Sequence, residues 1–104
     1  MSDSISTLVS TENAVLELIV NNHPGVMMHV CSLFARRAFN MDGVVCVPED
    51  QGERSRMWLR VSDDVSLEQV IKHLEKLEDV LTVRRHRASR DVFEQVEALL
   101  RNRR

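Results

Sequence analysis

Residues 14–40 read AVLELIVNNHPGVMMHVCSLFARRAFN, and their periodicity changes once, at NHPG. Before that point Leu16, Leu18 and Val20 alternate with Val15, Glu17 and Ile19, the two-residue repeat of a strand. Both faces carry apolar side chains, which predicts a central strand over 14–21. After it Val26, Val30, Leu33, Phe34 and Ala38 recur at helical spacing, so a helix is predicted over about 25–39. Asn22 or His23 is suited to cap that helix, and Pro24 suits its first position. Arg36 and Arg37 lie near its end, where cations complement the dipole. Asn40 is suited to stop it in a left-handed conformation.

The remaining elements follow outward from this unit. GVVCVP (43–48) and RMWLRV (56–61) are strand-like runs joined by the polar EDQGERS, which predicts a hairpin. Met57, Leu59 and Val61 alternate there with Trp58 and Arg60. Leu67, Val70, Ile71, Leu74 and Leu77 form an unbroken helical stripe over 66–78, with Ser66 and Gln69 at capping-box spacing. VLTVRR (80–85) reads as a last strand. The order β-α-β-β-α-β predicts an α+β, ferredoxin-like domain over 14–87, a four-stranded antiparallel sheet with two helices on one face. Residues 1–13 are Ser/Thr-rich without a period and read as a mobile arm. Residues 88–104 read as a tail with a short C-terminal helix. Asp91 and Glu94 have the acidic capping-box spacing, and Phe93, Val96, Leu99 and Leu100 form its stripe. So short a helix is marginal alone, so the stripe calls for a partner surface.

Composition narrows the function classes. With 104 residues, 43% of them hydrophobic, the chain has enough apolar matter for one core. A net charge of −2 gives no electrostatic address for nucleic acid or membrane. Three Phe, one Trp and no Tyr are thin for base stacking, even though this fold supports RNA-binding domains. MSDSISTLVSTEN has neither a basic region nor an apolar run, no stretch approaches the ~20 apolar residues of a membrane span, and a cytoplasmic protein is expected. Cys31 and Cys46 read as small, reduced, buried apolar groups. His29 and Cys31, two apart on a helix, point different ways, so no metal is expected. No nucleophile motif, phosphate loop or paired-acid constellation suggests catalysis. Asp63 and Asp64 precede a helix, where acids are favourable, and His73 and His86 read as surface residues.

Asn21–Asn40, NNHPGVMMHVCSLFARRAFN, resembles the start of the ACT domain in acetolactate synthase small subunits. The residues carrying the likeness are Asn22, Pro24, Gly25, Val26, Leu33, Phe34, Arg36, Arg37, Phe39 and Asn40. It continues through WLRV (58–61), LEQVIKHLEKLEDV (67–80) and VRR (83–85), and so covers about 14–86. The chain looks most like the short, isozyme I type of that family, without the second ferredoxin-like domain of longer members. Ser32 departs from the glycine many members carry there.

The resemblance implies a non-catalytic regulatory subunit. It would dimerise through its ACT domain, activate a catalytic large subunit, and bind valine or another branched-chain amino acid for feedback inhibition. Thiamine diphosphate, magnesium and FAD would belong to the large subunit, and no cofactor is expected in this chain. The effector residues would be Asn22, His23, Pro24, Gly25, Val26 and Met27, with Asn40 contributed across the dimer interface. A zwitterion's carboxylate suits free amides at a helix N-terminus, here those of Gly25, Val26 and Met27. Gly25 lacks a Cβ and admits close approach, Pro24 fixes the turn, and Asn22 offers a donor and an acceptor. Read without the family, Asn22 is a cap, Gly25 a turn glycine and Asn40 a helix stop. A free-standing ACT sensor for another enzyme or a transcription factor is the alternative function. For docking on the large subunit, the expected surface is the sheet edge with the basic tail. Seven of the 14 Lys and Arg lie from Arg84 onward, against three acids.

Overall fold

A computed structural model describes residues 13–87 and 92–102. Of the arm expected over 1–13, residues 1–12 lie outside the described residues, as does Asp91 of the tail's capping box, whereas Asn13 opens the first strand. The elements are β1 (Asn13–Asn21), α1 (Val26–Arg36), β2 (Met41–Glu49), β3 (Arg54–Ser62), α2 (Leu67–Glu75), β4 (Val80–Arg87) and α3 (Val92–Asn102), with a 3-10 turn at Asp50–Gly52. The sheet runs β2-β3-β1-β4, every neighbouring pair antiparallel. This is the expected α+β ferredoxin-like architecture, with β1 central.

One set of alternate residues makes the core. Leu16, Leu18 and Val20 of β1 and Met57, Leu59 and Val61 of β3 are fully buried beneath Val26, Val30, Leu33 and Phe34 of α1 and Leu67, Val70 and Leu74 of α2. Each such side chain contributes roughly 1.5–3 kcal/mol. The opposite face is half covered. Glu17 on β1 pairs with Arg56, which also reaches Glu49, and His86 Nε2 lies 2.7 Å from Glu17. Burial pushes the Glu17 carboxyl up, but its bonds to His86 and Arg56 outweigh that and hold it below the usual range. Farther along this face α3 docks by its first turn. Phe93 is buried, and the Arg60 guanidinium lies 5.5 Å from the centre of its ring. Val96 is half-buried, while Leu99 and Leu100, the far part of the stripe that calls for a partner surface, are exposed.

Helix ends differ most from expectation. α1 does not start at Pro24. Its cap is Gly25, in the left-handed region at φ 92°, with no side chain bonding the helix end. Its stop is not Asn40 but Ala38, at φ +54°. Ala38 N–H donates to Ala35 O at 3.0 Å and Phe39 N–H to Phe34 O at 3.0 Å, the two bonds of a Schellman motif. The accompanying apolar contact is the edge-on pair Phe34–Phe39, centroids 5.9 Å apart, whose burial offsets the strain at Ala38. Ala38→Gly should therefore raise stability by about 0.5–1 kcal/mol. A urea midpoint that stays put or falls would count against it. Ser66 holds the N-cap position of α2 as expected, but its side chain bonds no amide of the helix. Asp64 accepts instead from both the Ser66 amide (2.8 Å) and its hydroxyl (2.7 Å). Cys46 is exposed and Cys31 half-buried, both free thiols, and not the buried pair expected: β2 is an edge strand and leaves Cys46 uncovered. No helix among the described residues is long and apolar enough to cross a membrane.

Candidate functional site

The β1–α1 turn is held from two sides. Asn21 N–H donates to Asp79 O at 2.8 Å, and Asn22 N–H to Glu53 O at 3.1 Å. The Asn22 side-chain amide donates to Gly52 O at 2.8 Å. That bond takes one of the two side-chain N–H groups of Asn22, whose Oδ1 is an acceptor. His23 bridges farther: Nδ1 lies 2.7 Å from Pro24 O and Nε2 2.5 Å from Asp79 Oδ2. The turn is thus tied to both the β2–β3 hairpin and the α2–β4 turn.

Gly25 is exposed, and a Cβ built there would meet nothing within 4 Å. Its carbonyl accepts from His29 N–H at 2.9 Å, while Val26 N–H turns back to His23 O at 3.3 Å. The Val26 amide is therefore engaged within the turn and its side chain is buried. By helix geometry the first-turn amides that follow, those of Met27 and Met28, have no acceptor within α1. Both methionines are exposed. A cleft of about 100 Å³ opens beside this end of α1, lined by Val26, His29, Leu77, Glu78, Asp79 and Val80.

Electrostatically, the site pairs one imidazole with one carboxylate. His23 is held above the ordinary histidine value, first by its bond to the Pro24 carbonyl and then by Asp79. Asp79 is held below the usual carboxylate range, chiefly by His23, with the Asn21 amide adding to it. The structure brings Asn22, His23, Pro24, Gly25, Val26 and Met27 together at one end of α1. Asn40 lies at the other end, beyond a helix about 16 Å long, and bonds Asp42 at 3.4 Å. Asp79, which organises the turn, was not among the expected residues. Its partner His23 is 56 residues away, and local periodicity gave no signal of the pairing.

A βαββαβ fold whose first helix starts from a solvent-open glycine turn is compatible with an ACT regulatory domain, as with other ferredoxin-like domains. The sequence matches the AHAS small subunit-like ACT domain over residues 16–82. It is 51% identical over 85 residues to the acetolactate synthase isozyme 1 small subunit of Escherichia coli K12, covering 82% of this chain and 88% of that one. It is 37% identical over 76 residues to the acetolactate synthase small subunit of Mycobacterium bovis, covering 72% of this chain and 45% of that one. The crystal structure of the acetolactate synthase small subunit from Thermotoga maritima superposes with a TM-score of 0.64 at 34% identity, covering 70% of this chain and 46% of that one. The chain thus spans about half the length of these two longer relatives. It belongs to the acetolactate synthase small-subunit family of ACT domains. It is a regulatory subunit built on an ACT domain and not on a catalytic fold, and a small subunit implies a catalytic large subunit as its partner.

Proposed function

We propose that this chain binds valine, or a closely similar branched-chain amino acid, at the β1–α1 turn and so imposes feedback on the catalytic large subunit that it otherwise activates. The observation that carries the reading is Gly25, left-handed, exposed and clear of neighbours at the start of α1. The effector carboxylate meets the amides of Gly25 and Met27 with the helix dipole behind them. Val26 forms the wall beneath, and Pro24 and His23 fix the turn. The Asn22 carbonyl oxygen accepts from the ammonium group. Asn40, distant within one chain, reaches the ligand from a second copy in a homodimer. The effector then favours one dimer arrangement by its differential affinity, and a coupling of about 1–3 kcal/mol suffices for feedback. Thiamine diphosphate, magnesium and FAD belong to the large subunit in this reading, this chain holds no cofactor, and the assembly is cytoplasmic. The sheet edge and the basic C-terminal segment dock on the large subunit.

Reconstitution tests the proposal. Mixing the chain with purified large subunit should raise the rate of acetolactate formation, and valine should lower it again. No change on mixing, with heat still released on adding valine, would point to a free-standing sensor. No response in either measurement would refute the reading altogether.

A further inference from the structure

We infer that protonated His23 staples the effector turn to the α2–β4 turn through Asp79, and that effector binding is thereby coupled to proton concentration. This deepens the effector reading and rests on it. Nδ1 of His23 faces the Pro24 carbonyl at 2.7 Å, and Nε2 faces the Asp79 carboxylate at 2.5 Å. Both partners are acceptors, whereas a neutral imidazole has one N–H. A neutral ring satisfies one partner and turns a lone pair on the other, so only the imidazolium completes both contacts.

Asp79 is oriented in turn. Its Oδ1 accepts from the Asn21 side chain at 3.4 Å, and its carbonyl accepts from the Asn21 amide at 2.8 Å. The contacts therefore close a loop from the end of β1 through Asp79 and His23 to Pro24, the residue before the glycine. The charged and titratable groups facing this ring are the carboxylates of Asp79 and Glu78, with His29 near Asp79. The two acids favour the cation, as does the Pro24 carbonyl, in keeping with the upward displacement of the His23 value. The sign follows. A group whose folded value is raised makes its contact fully below the ordinary histidine range and loses it as pH climbs through the raised value. The cation belongs to the same turn as Gly25, so its loss removes both a contact that holds the turn and a positive charge from it. Effector affinity should fall as pH rises.

The test uses the full chain at low salt. Imidazole titration by NMR should place His23 above the ordinary value, and Asp79→Asn should bring it down. Calorimetry with valine from about pH 6 to about 8.5 should show Kd rising about fivefold in the wild type. In His23→Gln, which cannot titrate, Kd should stay level within about 1.5-fold. A His23 midpoint unmoved by Asp79→Asn would overturn the staple. Identical pH profiles for wild type and His23→Gln would overturn the coupling. No valine heat at any pH would sink the effector reading and the coupling with it, while the imidazole titration judges the staple by itself.

Discussion

Gly25→Asp should abolish valine binding by calorimetry, whereas Gly25→Asn should weaken it and leave it measurable. The comparison is designed around the backbone. Gly25 sits at φ 92°, where any L residue is strained, so a single substitution would mix strain with chemistry. Asp and Asn are nearly the same size, and both tolerate the left-handed region better than other residues, so about 1 kcal/mol of strain is common to the two. No neighbour lies within 4 Å of either new Cβ. What separates them is one negative charge at the turn where the proposed effector carboxylate would sit. Two carboxylates roughly 5 Å apart at an effective dielectric constant of about 20 repel by about 3 kcal/mol, more than a hundredfold in Kd. Equal weakening by both variants would mean that the turn matters only for shape. An Asp variant that binds valine normally would place the site elsewhere.

The parts of this molecule that were legible in the sequence are those decided by burial. The apolar residues on both faces of 14–20 announced a central strand, because only a strand paired on both sides needs them, and β1 lies between β3 and β4. The stripe Leu67, Val70, Leu74 announced the face of α2 that meets the sheet. Helix ends were less legible because several residues competed to supply the same bond. Asn22 and His23 look like caps, yet Gly25 takes that place, and Ser66 holds the cap position of α2 with its hydroxyl turned to Asp64. The Asn22 side chain is drawn instead to the Gly52 carbonyl across the hairpin. The stop of α1 had a readable signal, Phe34 and Phe39 five apart around a small residue, the spacing of the Schellman contact. Asn40 drew the reading away from it. The exposure of Cys46 follows from its place on an edge strand, which sequence alone does not rank. In the site, the glycine turn was visible as a motif, but Asp79 was not. A single acid in a polar turn carries no sign that tertiary folding sets it against His23.

Phe34→Ala should lower the thermal transition of the whole ACT domain by more than about 10 °C, whereas Phe93→Ala should leave the ACT domain folded and release only α3. Both phenylalanines are nearly as buried as each other, 2% and 8% exposed, so burial alone would predict similar losses. Their surroundings differ. Phe34 belongs to the contiguous core between the helices and the sheet and also closes the Schellman turn against Phe39. Truncating it costs about 3–5 kcal/mol. A domain of this size holds only about 4–11 kcal/mol in all. Phe93 lies outside that core, on the opposite face, where its ring fills the space above Gly43. A helix the length of α3 is marginal alone, so the loss of its one buried aromatic anchor melts it without reaching the sheet. Gly43→Val should reproduce the Phe93→Ala result from the other side of the contact. Valine suits a strand, but its Cβ would stand 2.8 Å from the Phe93 ring and force it away. In circular dichroism both variants should lose helical signal while the main thermal transition moves by only a few degrees. A single transition lowered as far by Phe93→Ala as by Phe34→Ala would show instead that α3 folds as one cooperative unit with the domain.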